Sequence, residues 1–211
     1  MGQPALREAA AVIPGHPTIR ALQAAVHNCR GCDLYRFATQ AVFGEGPSPA
    51  QIVLIGEQPG DQEDRQGHPF VGPAGKLLDR ALEEAGIDRS QVYVTNAVKH
   101  FKFEERGKRR IHKKPRASEV QACKPWLEAE MAVLKPQVVV CMGATAAQAV
   151  LGPVYRLTKE HGKFVEHRWA PRVTATLHPS AILRAPDDAA RHAAYDQLVA
   201  DLKKVRAALS R

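Results

Sequence analysis

Three short apolar runs set the architecture open to this chain: Gln51-Ile-Val-Leu-Ile-Gly56, Gln91-Val-Tyr-Val-Thr-Asn-Ala-Val98 and Val138-Val-Val-Cys-Met-Gly143. Each is rich in β-branched residues and stops at glycine or polar residues, so each reads as a buried strand. Helical spacing separates them. Leu77, Leu78, Leu82 and Ala85 share one face and stop at Gly86, and Cys123, Trp126, Leu127, Met131 and Leu134 follow a capping-box pattern at Ser118-Glu-Val-Gln121. Ala144 to Leu151 is a helix of small residues, and a last helix runs from about Asp187 to Leu209. A weaker pair of runs, 162–166 and 173–177, supplies at least one more strand. This alternation predicts an α/β fold, a three-layer αβα sandwich around a central, mainly parallel four-stranded sheet.

The chain has 211 residues, 45% hydrophobic and 25% charged, which suits a single globular domain over 17–211 behind a loose leader over 1–16. The leader lacks a signal-peptide pattern and no apolar run approaches the ~20 residues of a membrane span, so a cytoplasmic monomer is expected. Charge is unevenly placed. Between Lys102 and Arg116 there are eight Lys/Arg against Glu104 and Glu105, a local net of +6 out of +8 for the chain. A local, non-periodic basic segment of this kind fits a phosphate backbone, with Lys108, Arg109, Arg110, Lys113 and Lys114 as contacts.

The polar clusters each follow a strand: Glu57 to Asp64, Asn96 to Lys113, and His178 to Ser180. In a parallel sheet all three emerge at one edge, where such folds bind ligands. The four cysteines are too few for a disulfide scaffold, and Cys29-Arg-Gly-Cys32 points to metal or redox chemistry. Cys141 lies inside an apolar run and reads as a small buried hydrophobe.

The ordered motifs Cys29-x-x-Cys32, Gly56-Glu-x-Pro-Gly60, Pro69-Phe-Val-Gly-x-Ala-Gly75, Asn96-x-Val-Lys99 and His178-Pro-Ser180 resemble those of the iron–sulfur uracil-DNA glycosylases, over about residues 27–205. Two features resemble the UdgX group within them: Gln58 where ordinary members carry a small residue, and the insertion Lys108-Arg-Arg-Ile-His-Lys113. That group excises uracil and ends covalently attached to the DNA. The resemblance implies uracil-containing DNA as partner, single strands preferred, with Ser180 and Arg184 added to its contacts.

The resemblance also assigns roles. In the resembled enzymes a cysteine follows Asn-x-Val-Lys. Here that position is His100, giving Cys29, Cys32, His100 and Cys123 as ligands of a structural [4Fe–4S] cluster, with zinc the rival metal for such a set. Phe70 stacks on the flipped base above Gly56, Asn96 reads its O4/N3 edge, and His178 donates to O2 as uracil leaves, a contribution of roughly 3–4 kcal/mol in comparable sites. His112 captures the sugar, with surrounding cations favouring its neutral form. Glu57 orients His112 and takes its proton, Gln58 positions the loop or a water, and Asp61 and Asp64 support Glu57 or the basic segment, or turn the chain.

Three rival functions remain. One is a turnover glycosylase that uses water, and another a non-catalytic, metal-stabilised nucleic-acid-binding module. The third, a Cys-x-x-Cys oxidoreductase, lacks the expected strand-to-helix turn.

Overall fold

The computed structural model describes residues 9–209. Helix α1 (Ile19–Val26) is capped by Thr18, whose side chain accepts from the Ala21 N–H, and buries Leu22 and Val26. The chain then passes the Cys29/Cys32 turn to strand β1 (Ile52–Gly56), two helices, α2 (Asp61–Gln66) and α3 (Pro73–Glu84), and strand β2 (Val92–Asn96). Strands β3 (Phe103–Arg106) and β4 (Arg109–His112) follow, then α4 (Ala117–Leu134), β5 (Val138–Met142) and α5 (Ala144–Leu151). The remainder is α6 (Leu157–Glu160), β6 (Val165–His167), β7 (Ala170–Thr176), α7 (Pro179–Leu183) and α8 (Asp188–Leu209).

The central sheet has the order β2-β1-β5-β7-β6, with β6 alone antiparallel. It has five strands, not the four expected, because both weak runs near its far edge are extended and form a hairpin. Side-chain alternation divides the strands between two cores. Val53, Ile55, Tyr93, Val139 and Val173 pack with Trp126 and Leu127 of α4 and Leu22 of α1 on one face. Ile52, Leu54, Val94 and Val140 pack with Leu78 and Leu82 of α3 and Leu198 and Leu202 of α8 on the other. The apolar runs are unbroken because both faces are covered.

Residues 1–8 of the expected leader lie outside the described residues. From Ala9 onward it is packed: Ala9 is fully buried, and Val12 and Ile13 lie against the core. Helix α4 begins one residue before the expected Ser118, and the Glu119 carboxylate, rather than a serine hydroxyl, accepts from the Arg116 N–H at 2.6 Å. No helix among the described residues is long and apolar enough to cross a membrane.

The larger departure is the basic segment. It is no irregular loop but a β-hairpin, with Phe103 paired to His112 and Arg106 to Arg109. Gly107 takes φ +59, as the first position of a two-residue hairpin turn requires.

Candidate active site

The strand order reverses at β1, which has β2 on one side and β5 on the other. A crevice forms beyond the C-terminal ends of strands at such a point. Here it is a cleft of about 700 Å³, lined among others by Glu57, Phe70, Asn96, His112, Thr145 and His178.

Its floor is Gly56. A Cβ there would lie 2.3 Å from Asn96 Oδ1, 2.8 Å from Phe70 Cζ and 3.4 Å from His178 Nε2, so only glycine lets these three groups converge. Phe70 is held with φ +58, a conformation that costs a non-glycine residue about 1 kcal/mol or more. Its ring stacks near His178, centroids 6.2 Å apart and planes inclined by 28°. Asn96 Oδ1 is buried without a hydrogen-bond partner, which leaves a strong acceptor facing the floor of the cleft.

The tautomer of His178 follows from its neighbours. Its Nδ1 accepts from the Ser180 N–H at 3.0 Å and lies 2.8 Å from the Ser180 hydroxyl. The proton therefore resides on Nε2, the atom facing the cleft floor. Burial pushes the pKa of His178 down to about 4, so the ring is neutral at pH 7. Ser180, expected to meet DNA, lines the cleft with its hydroxyl against this ring. Arg184 stays at the cleft wall.

Glu57 follows β1 directly. Its Oε1 lies 3.3 Å from His112 Nε2, and its Oε2 accepts from the Thr145 hydroxyl. Burial raises the pKa of this carboxyl, but the hydrogen bonds from His112 and Thr145 outweigh it and hold the value below the ordinary one. Thr145 was invisible to sequence reasoning, which saw only a helix of small residues there.

The hairpin is moored to the same loop that carries Glu57. Gln58 is buried and bonds only hairpin backbone: its Nε2 donates to the carbonyls of Lys102 and Lys113, each at 3.1 Å, and its Oε1 accepts from the Lys102 N–H at 3.1 Å. Of the two roles expected of Gln58, this bonding is the positioning of the loop. Arg110, expected on phosphate, lies inward instead, at 2.5 Å from Asp61 Oδ1 and 2.7 Å from the fully buried Asp64. Its guanidinium covers Phe103 at 4.9 Å from the ring centroid. Asp61 and Asp64 thus serve the basic segment and not Glu57.

Lys113 is paired with Glu104 and Lys102 with Glu119, so the segment is less naked electrostatically than its composition implies. Lys108, Arg109 and Lys114 are exposed, and among the described residues none pairs with them.

A second, much smaller cavity is lined by Cys29, Cys32, Lys99, His100 and Cys123. Cys141 lies elsewhere, in β5, paired in register with Ala175. Two of the sulfurs accept hydrogen bonds, Cys29 from Trp126 Nε1 and Cys123 from the Lys99 N–H, both at 3.2 Å. Burial pushes the thiols of Cys32 and Cys123 up to about 11 and about 12, so thiolates there require a cation. Burial also lowers His100 to about 4, which leaves it a neutral imidazole. Among the described residues no three His, Cys, Asp or Glu side chains converge on a point where one metal ion would sit. The four expected donors nevertheless line one cavity, and three thiols with one imidazole are a donor set that suits an iron–sulfur cluster or zinc.

The family model described as the uracil DNA glycosylase superfamily matches residues 43–203. A type-4 uracil-DNA glycosylase of Archaeoglobus fulgidus is 37% identical over 168 residues, covering 76% of this chain and 81% of its own. One from Thermotoga maritima is 38% identical over 160 residues, covering 75% and 80%. One from Sulfurisphaera tokodaii is 35% identical over 170 residues, covering 77% and 74%. Matched over most of its length and built around a cleft at its strand ends, the chain belongs to the uracil DNA glycosylase superfamily.

Proposed function

We propose that this protein excises uracil from DNA and then captures the resulting sugar on His112, a single-turnover reaction of the UdgX kind. The excision half rests on the type-4 relatives and on the cleft floor. Phe70 offers the flipped base a stacking face. The orphaned Asn96 Oδ1 accepts from uracil N3–H, whereas cytosine presents a lone pair at that atom and is rejected. His178 Nε2–H donates to O2. The glycosidic C1′–N1 bond breaks with its electron pair passing to uracil, and the donor stabilises the anion as it forms.

The capture half is carried by one observation: His112 and Glu57 are 3.3 Å apart on the wall of the same cleft. A ring nitrogen of His112 adds its lone pair to the electron-poor C1′, and the ring's proton passes to Glu57. The product is an N-alkyl imidazole. Once neutral it is a poor leaving group, and turnover stops.

Cys29, Cys32, His100 and Cys123 would hold a [4Fe–4S] cluster. When bound, the cluster supplies a structural cross-link and no redox step of the excision.

The test is His112→Ser with uracil-containing single-stranded DNA. The wild type should give a protein–DNA species resistant to heat and detergent, while the variant should give none and still release uracil through water. Persistence of that species in the variant would refute capture by His112. Absence of free uracil in either protein would refute the excision reading.

A further inference from the structure

Lys99 and Glu130 form an ion pair whose two side chains are both fully buried, at 2.5 Å. Burying such a pair costs about as much as it returns, and an apolar pair of similar volume is often equally stable. Stability alone therefore gives little reason for it, and its hydrogen bonds indicate another.

Lys99 Nζ donates to three acceptors: Glu130 Oε2, Thr95 Oγ1 at 2.6 Å and the backbone carbonyl of Asn96 at 2.9 Å. Glu130 Oε1 in turn accepts from the Thr95 hydroxyl at 2.8 Å and the Tyr93 hydroxyl at 3.0 Å. The network closes on the last residues of β2, the edge strand of the sheet. Asn96 ends that strand, and its Oδ1 has no partner to fix it. At its main chain, Lys99 is anchored to the other small cavity, because its N–H donates to Cys123 Sγ.

We infer that the Lys99–Glu130 pair is a positioning device for Asn96, setting from behind the strand the amide that reads the uracil edge and tying it to the cysteine-lined cavity. Lys99 and Glu130 touch no substrate and act only through Asn96. The inference rests on the reading of Asn96 as the group that recognises uracil N3–H.

The experiment compares inhibition of uracil release by free uracil and by 3-methyluracil, which lacks N3–H. In the wild type uracil should bind at least about tenfold tighter, the cost of leaving one buried acceptor unpaired. In Lys99→Met/Glu130→Leu, which removes both charges together, the ratio should fall to that of Asn96→Ala, with iron content retained. Thr95→Val keeps both charges, removes the shared hydroxyl and should shift the ratio in the same direction by less. It carries the test alone if the double variant does not fold. A wild-type ratio retained in the folded variants, or lost only where iron is lost, overturns the inference. No discrimination in the wild type would instead refute the reading of Asn96.

Discussion

Thr145 donates its hydroxyl hydrogen to Oε2 of Glu57 from the first turn of α5, and this bond decides which carboxylate oxygen is left for His112. One oxygen is held by the scaffold and the other faces the proposed nucleophile. The carboxylate is also kept ionised, since both bonds lower its pKa against the upward push of burial.

Thr145→Val should therefore slow formation of the covalent species by roughly tenfold, the worth of one hydrogen bond to a charged acceptor. Loss of that bond raises the pKa of Glu57, so the acid limb of the pH profile for capture should move to higher pH. Thr145→Ser should restore both. Single-turnover capture rates across pH check this, and an unmoved acid limb would remove Thr145 from the chemistry.

Arg110→Ala leaves Asp64 buried and unpaired, which should cost roughly 3 kcal/mol of stability in urea melts. Capture should fall more than uracil release, because the hairpin loses its mooring while the cleft floor is untouched. Arg110→Lys should not restore it, since an ammonium cannot bridge two carboxylates as the planar guanidinium does.

His178 gives the protein a characteristic acid sensitivity. Its folded pKa is depressed to about 4 while its unfolded value is near 6.5. Above pH 6.5 neither state binds the proton. As pH falls from 6.5 towards 4 only the unfolded chain binds it, so stability declines over that window by up to ~3 kcal/mol and then levels. The stability gap between the wild type and His178→Asn should narrow or reverse across the same window. A gap independent of pH would show that the ring is not held neutral.

Lys108, Arg109 and Lys114 should each contribute about −0.7 to the slope of log affinity against log salt on single-stranded DNA. Binding isotherms of the alanine variants measure it. Arg110, whose charge is already spent on Asp61 and Asp64, adds no contact of its own to this slope.

Much of this was legible in the sequence where one residue's neighbours in the chain decide its place. The apolar runs are strands because both faces are covered, and Glu57, Asn96 and His178 lie at the cleft because each ends or follows one of them. What could not be read depended on partners far away in sequence. Thr145 meets Glu57 across 88 positions, and Gln58 meets Lys102 and Lys113 across 44 and 55. The hairpin was hidden because its strands are short and charged, and its stacking of Phe101, Phe103 and Arg110 is revealed only by pairing. Counting cations grouped Lys108, Arg109, Arg110, Lys113 and Lys114 as phosphate contacts, whereas pairing divides them into Arg110 and Lys113, held by carboxylates, and the exposed Lys108, Arg109 and Lys114.

The three hydrogen bonds between Gln58 and the root of the hairpin bear on protein engineering. A designer wishing to carry the proposed capture into another member of the superfamily would be tempted to transplant residues 103–112 alone. Those residues would arrive without the amide that sets their register or the two carboxylates that grip Arg110. The smallest transferable unit is discontinuous: Gln58, Asp61 and Asp64 must travel with the hairpin for His112 to reach its station opposite Glu57.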